Sequence, residues 1–138
     1  MRIVFILLAL AVSPARAQQE RPESNLDLRG GQPLVLLEKG EERWELERNV
    51  NGDFHLLRSE KGEPSKHKLA RVRAEELDQR FSAAFMKVQY ELPADPDKCM
   101  ADWRMVLRGE EYRFCSKNEQ KDQVAQALLS ELRGLTHP

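Results

Sequence analysis

Histidine and cysteine are scarce: three histidines and two cysteines among 138 residues leave little material for a metal centre or an imidazole-based catalytic dyad. His55, His67 and His137 are scattered, with no His-Glu-x-x-His spacing and no Cys-x-x-Cys partner. They read as solvated or hydrogen-bonded imidazoles, and neither a metal nor a cofactor is expected. Excess charge of one sign is also missing, since 22 basic and 23 acidic side chains nearly cancel. That balance gives no concentrated basic surface for nucleic-acid phosphates and no strong steering field. Glycine-rich phosphate loops and Gly-x-Ser-x-Gly elbows are absent. Ser24, Ser59, Ser65, Ser82, Ser116 and Ser130 therefore have no recognisable activating partner.

One long apolar run is present, at residues 3–12, after Met1-Arg2 and before Ser13-Pro14 and Ala15-Arg16-Ala17. About 10 apolar residues reach only about 15 Å, half a bilayer's hydrocarbon thickness. Small residues at 15 and 17 complete the pattern of a cleaved secretory signal over residues 1–17, with a mature start at Gln18. The expectation is general export to the periplasm or beyond the cell. No Asn-x-Ser/Thr site occurs in the chain, which suits a bacterial origin. Residues 18–33, QQERPESNLDLRGGQP, carry only two leucines and read as a flexible tether. Residues 34–138 then form the expected single domain.

Within that domain the apolar periodicity changes several times. Leu34-Val35-Leu36-Leu37 is a buried strand ended by Lys39-Gly40. Residues 41–49 and 53–59 alternate around Val50-Asn51-Gly52. A three-residue loop there pairs Arg48 with Phe54 and Leu46 with Leu56, gathering Trp44, Leu46, Phe54 and Leu56 on one face. Residues 64–72 extend the sheet by a strand of basic composition. Leu77, Phe81, Ala84, Phe85 and Val88 then form a helical stripe over residues 75–91, with Glu75 and Glu76 in its first turn. A second hairpin, residues 102–108 and 111–116, with a turn at Gly109-Glu110 pairs Leu107 with Tyr112 and Met105 with Phe114. Ser116 and Glu119 form a capping box for the last helix, and Gly134 marks its end.

These elements predict an α+β fold, an antiparallel sheet of five or six strands with two helices packed on one face. Trp44-x-Leu46 and Trp103-x-Met105, each in a hairpin, suggest a ββα internal repeat. The uncovered face shows Glu45, Glu47, Arg104, Arg108, Glu111 and Arg113 to water.

Three features bear on function. Cys99 and Cys115 are expected to pair as a structural disulfide in an oxidising compartment, tying the loop after the first helix to the second hairpin. In the expected register Cys115 faces Arg104, so the chain at Cys99 must fold back over the sheet. Asp95, Asp97 and Asp102 lack the glycine and terminal glutamate of a calcium loop and read as loop acids. Lys61, Lys66, His67, Lys68, Arg71 and Arg73 form a basic run. Lys66, Lys68, Arg71 and Arg73 are its candidates for holding an anionic partner, and edge protection by lysine is the competing reading. The sequence thus favours a non-catalytic macromolecule-binding module of the bacterial envelope. Its partner is an envelope protein or an acidic glycan, met through a sheet edge or the basic run. A secreted hydrolase or hydrolase inhibitor, with a site built from the loop at residues 93–102, is the alternative.

Overall fold

A computed structural model describes residues 33–136; the expected signal and nearly all of the expected tether lie outside them. The fold is α+β, six antiparallel strands in the order β4-β3-β2-β1-β5-β6 with two helices on one face. The strands are β1 (Val35–Lys39), β2 (Glu42–Arg48), β3 (Phe54–Glu60), β4 (Glu63–Leu69), β5 (Trp103–Leu107) and β6 (Glu110–Phe114). The helices are α1 (Arg71–Met86), continued by a π-helical turn (Lys87–Glu91), and α2 (Glu119–Leu135).

The apolar run at Val35-Leu36-Leu37 dictates the central position of β1, because all three are buried and only an inner strand can cover both of its faces. Val35 and Leu37 face the helices between Leu46 and Trp44 on β2 and Leu107 and Met105 on β5. Leu36 faces the opposite side beside Val106. Against the helix-facing row pack Ala74, Leu77, Phe81, Phe85 and Val88, together with Ala125, Leu128, Leu129 and Leu132. Trp44, Trp103, Phe81 and Leu128 share that one core.

The first hairpin has the expected register, Arg48 opposite Phe54 and Leu46 opposite Leu56, and Gly52 takes the left-handed conformation (φ +88°) that a bulged three-residue loop needs. The second differs by two residues. Leu107 pairs with Glu110 and Met105 with Tyr112, so the turn is Arg108-Gly109, both at positive φ (45° and 89°). A type I′ turn needs left-handed backbone at both central positions, and glycine at the second supplies the costlier one. A shift of two preserves the face of every side chain, so the apolar row stays correct while its partners move.

Four further boundaries differ. The strand expected at residues 64–72 stops at Leu69, and Val72 belongs to α1. That helix begins at Arg71 rather than residue 75, because Ala74 extends the buried stripe back one turn; Glu75 and Glu76 therefore leave its first turn. The N-cap of α2 is Asn118, whose side chain accepts from the Lys121 amide, while Ser116 donates to Asp102. Gly134 lies inside α2, which ends at Leu135 with Thr136 as its C-cap. Four strands precede α1 and two precede α2, so the chain is not a simple ββα duplication. Arg108 bonds Asp78 of α1 and thus belongs to the helix-covered side, not the open one.

Candidate functional site

The open face of the sheet is an ion-pair lattice over a small apolar floor. Arg104 lies 3.3 Å from Glu38 and 3.2 Å from Glu111, Arg113 also pairs with Glu111, and Arg43 lies 2.6 Å from Glu45. The guanidinium groups of Arg113, foremost, and Arg104 hold the Glu111 carboxyl below its ordinary range. Burial works against the charge on Arg104, but the hydrogen bonds it donates to Glu111 and Glu38 raise its affinity for the proton overall. Leu36 and Val106 are buried beneath these side chains, whose aliphatic stems cover apolar surface while the heads stay wet.

Each edge of the sheet has its own character, and backbone parity shows how. In a two-residue hairpin the residues flanking the turn exchange hydrogen bonds, and every second residue away from them does the same. On β6 this assigns Glu110, Tyr112 and Phe114 to β5, leaving the N–H and C=O of Glu111 and Arg113 directed outward. The Cys115 amide follows in the same outward series, and Asp95 accepts it at 2.9 Å. On β4, whose Lys61-Gly62 turn has the same form, the outward residues are Pro64, Lys66 and Lys68. Proline offers no N–H, and lysines on an edge discourage further pairing. Both edges thus present two outward N–H groups, but on β4 they belong to lysines next to a proline that offers none, whereas on β6 they belong to Glu111 and Arg113.

The candidate basic residues are not brought together. Lys66 and Lys68 point to the open face of β4, at 3.5 Å from Glu47 and 3.8 Å from Asp53. Arg71 and Arg73 sit at the start of α1, which covers the other face, and Arg71 pairs with Glu75 at 3.1 Å. Lys61 occupies the β3–β4 turn. The run contiguous in sequence is thus divided by the strand-to-helix junction.

Cys99 and Cys115 form a disulfide with Cα atoms 6.0 Å apart. The shifted register eases its geometry, because Cys115 now follows the Trp103–Phe114 pair and faces the Asp102 position, three residues from Cys99 rather than five. The loop it ties down spends two of its acids, Asp95 and Asp102, on structure, while Asp97 is exposed. Asp95 accepts from the Cys115 amide and from the Asn118 side chain, which also donates to the Pro93 carbonyl. Asp102 accepts the Ser116 amide and hydroxyl; these bonds outweigh burial and leave its carboxyl below the ordinary value. His55 and His67 lie on β3 and β4, at the opposite end of the strand order from this loop.

One buried cation remains. Lys121 of α2 is 1% exposed, and its Nζ donates to the Tyr112 hydroxyl at 2.5 Å and lies 4.9 Å from the centre of that ring. No carboxylate stands within ion-pair distance of it among the described residues.

Sequence reasoning missed Glu111 and Arg113 as backbone donors and acceptors, and Asp95 and Asn118 as the clasp beside them. Glycine at the second place of Arg108-Gly109 was the signal that fixes the register, and with it the outward series. Among the described residues no cluster of three or more His, Cys, Asp or Glu side chains could hold a metal ion. No helix among them is long and apolar enough to cross a membrane. Comparison with family models, with curated proteins and with solved structures finds no match to this chain.

Proposed function

We propose that this chain is a small exported module of the bacterial envelope that binds, without catalysis, an extended segment of another envelope protein along β6. The observation that carries this reading is the asymmetry of the sheet. The outward backbone of β4 is broken by Pro64 and lined by Lys66 and Lys68, which discourage strand pairing, whereas Glu111 and Arg113 give β6 two outward N–H and two outward C=O groups with side chains of opposite charge. Strand addition uses such groups for affinity and the alternating side chains for selectivity. Here Glu111 and Arg113 on the open face favour a partner strand with a basic and an acidic residue two apart. Dispersal of the basic run, and its pairing with Glu47, Asp53 and Glu75, favours a protein partner over an acidic glycan. The hydrolase alternative draws less support, because Asp95 and Asp102 are already engaged by backbone and cap groups.

The test uses a fluorescent eight-residue peptide of alternating apolar and charged residues, with an acid and a base two positions apart, titrated into the full disulfide-bonded chain. Saturable binding is expected, weakened about ten-fold or more by Arg113→Pro, which deletes one outward N–H, and unchanged by Lys66→Glu with Lys68→Glu. Binding that survives Arg113→Pro, or that is lost in the lysine variant, contradicts the reading.

A further inference from the structure

The side chains along the outward backbone of β6 complement themselves. Glu111 and Arg113 stand two residues apart on the open face, an acid followed by a base, and both are exposed. Antiparallel pairing reverses the order of the facing strand. A strand that reads acid, aromatic, base therefore meets an identical strand as base, aromatic, acid, and the charge pattern that this edge selects is carried by another β6.

We infer that β6 of a second copy of this chain pairs antiparallel with β6 about a two-fold axis at Tyr112, joining two sheets into one. The register follows by elimination. With the axis at Tyr112, Glu111 faces Arg113 of the second copy and Arg113 faces its Glu111. These are the residues whose backbone groups point outward, so amides meet carbonyls across the axis. An axis at Glu111 or at Arg113 sets that residue against its own like charge. An axis between two residues sets outward backbone against inward backbone and the open face against the helix-covered one. Pairing with β4 of another copy sets Arg113 against Lys66 or Lys68, or against Pro64, which has no N–H to give, and it continues without closing.

Both ends of the contact are defined. Beyond Arg113 the Cys115 amide is held by Asp95 and its carbonyl accepts the Asn118 amide at 3.1 Å. The residue that would face Cys115, Gly109 of the second copy, lies in the turn that carries its chain back to β5. Tyr112, half-buried within one copy, meets its own counterpart on the helix-covered side, at the close spacing of a non-hydrogen-bonded pair. Association stops at the dimer, because the edges left outside are the lysine-lined β4 strands.

This inference rests on the proposed strand-addition site and supplies its regulation. So short a contact is weak, and a partner segment that binds better takes the edge from the second copy by mass action.

Sedimentation velocity on the full disulfide-bonded chain, over about a hundred-fold range of concentration, tests it. A monomer–dimer equilibrium is expected. Glu111→Arg and Arg113→Glu each set like charges across the axis, so each alone should weaken the dimer about ten-fold or more. An equimolar mixture of the two variants should restore it, because every facing pair is then of opposite charge, and so should the chain that carries both substitutions. Amide exchange at Glu111 and Arg113 should slow as protein concentration rises. A monomer at every concentration, a dimer indifferent to both single substitutions, a mixture that stays monomeric, or a dimer that leaves both amides fast overturns the inference. The peptide titration keeps the two readings apart. A monomer that binds the peptide removes only the dimer, whereas a dimer with these properties that no excess of peptide displaces removes only the partner reading.

Discussion

Asp95 and Cys115 are 20 residues apart in sequence, and the carboxylate of one accepts the backbone N–H of the other at 2.9 Å. The contact closes the end of β6: it occupies the outward donor that follows Arg113 and fixes the disulfide-bearing loop against the strand. Asp95→Ala strands a largely buried amide and removes one of the two acceptors of the Asn118 side chain, which keeps the Pro93 carbonyl. A loss of about 1–3 kcal/mol in urea unfolding is expected, with Asp95→Asn less harmful because one acceptor remains. Equal stability of wild type and Asp95→Ala contradicts the clasp.

The disulfide spans a sequence separation of 16, for which chain entropy gives about 3 kcal/mol. Cys99→Ser with Cys115→Ser is expected to fold with a lower denaturant midpoint and to leave the residues around Asp95 faster in amide exchange than the core. Mass analysis under alkylating conditions should find no free thiol in the oxidised protein. Two alkylated cysteines contradict the bridge.

Lys121 is a buried ammonium whose hydrogen-bonding partner is one phenol. Tyr112→Phe removes that acceptor and keeps the ring, so a cost of about 1–3 kcal/mol is expected. Replacing both, with Lys121→Met and Tyr112→Phe, should recover most of the loss, because no buried charge is then left unpaired. A double-mutant cycle by denaturant unfolding reads the coupling. Additive losses contradict it.

Stability should decline in acid. Arg133 and Trp44 hydrogen bonds hold Glu42 below its ordinary 4.5, and Ser116 holds Asp102 below 3.8 despite burial. Folded-state values below unfolded ones mean that the unfolded chain takes up protons first as pH falls. The contribution is fully present above the ordinary values and is lost as pH drops through the folded ones. Urea midpoints measured from pH 7 to pH 3 should be level at the top and fall below about pH 4.5, with Glu42→Gln flattening the fall. An unchanged profile in that variant contradicts the assignment.

Much of the fold was legible because β-strand alternation is a strong signal where one face is apolar. Trp44, Leu46, Phe54 and Leu56 could share a face in only one of the two loop lengths weighed, and that length is the one observed. The second hairpin was less determinate, since Trp103, Met105, Leu107, Tyr112 and Phe114 share a face in either register. Turn stereochemistry at Arg108-Gly109 made the choice. Caps were misread for a related reason: Ser116 and Asn118 are both good caps locally, and Asp102, distant in sequence, claims Ser116. The candidate site was the least legible part, because it is made of backbone groups. No residue type announces an outward N–H; only register does, and register was the quantity misjudged on this hairpin.

The central claim is that Glu111 and Arg113 direct their amides away from the sheet while Tyr112 directs its own inward. Proline substitution along β6 tests this most directly, with Arg113→Ala as the side-chain control and thermal or urea unfolding as the readout. Arg113→Pro should lie within about 1 kcal/mol of Arg113→Ala, whereas Tyr112→Pro, which deletes a ladder hydrogen bond to Met105 and disturbs the core, should cost several-fold more. Arg113→Pro as damaging as Tyr112→Pro would mean that the edge faces the other way, and the strand-addition account would fail with it.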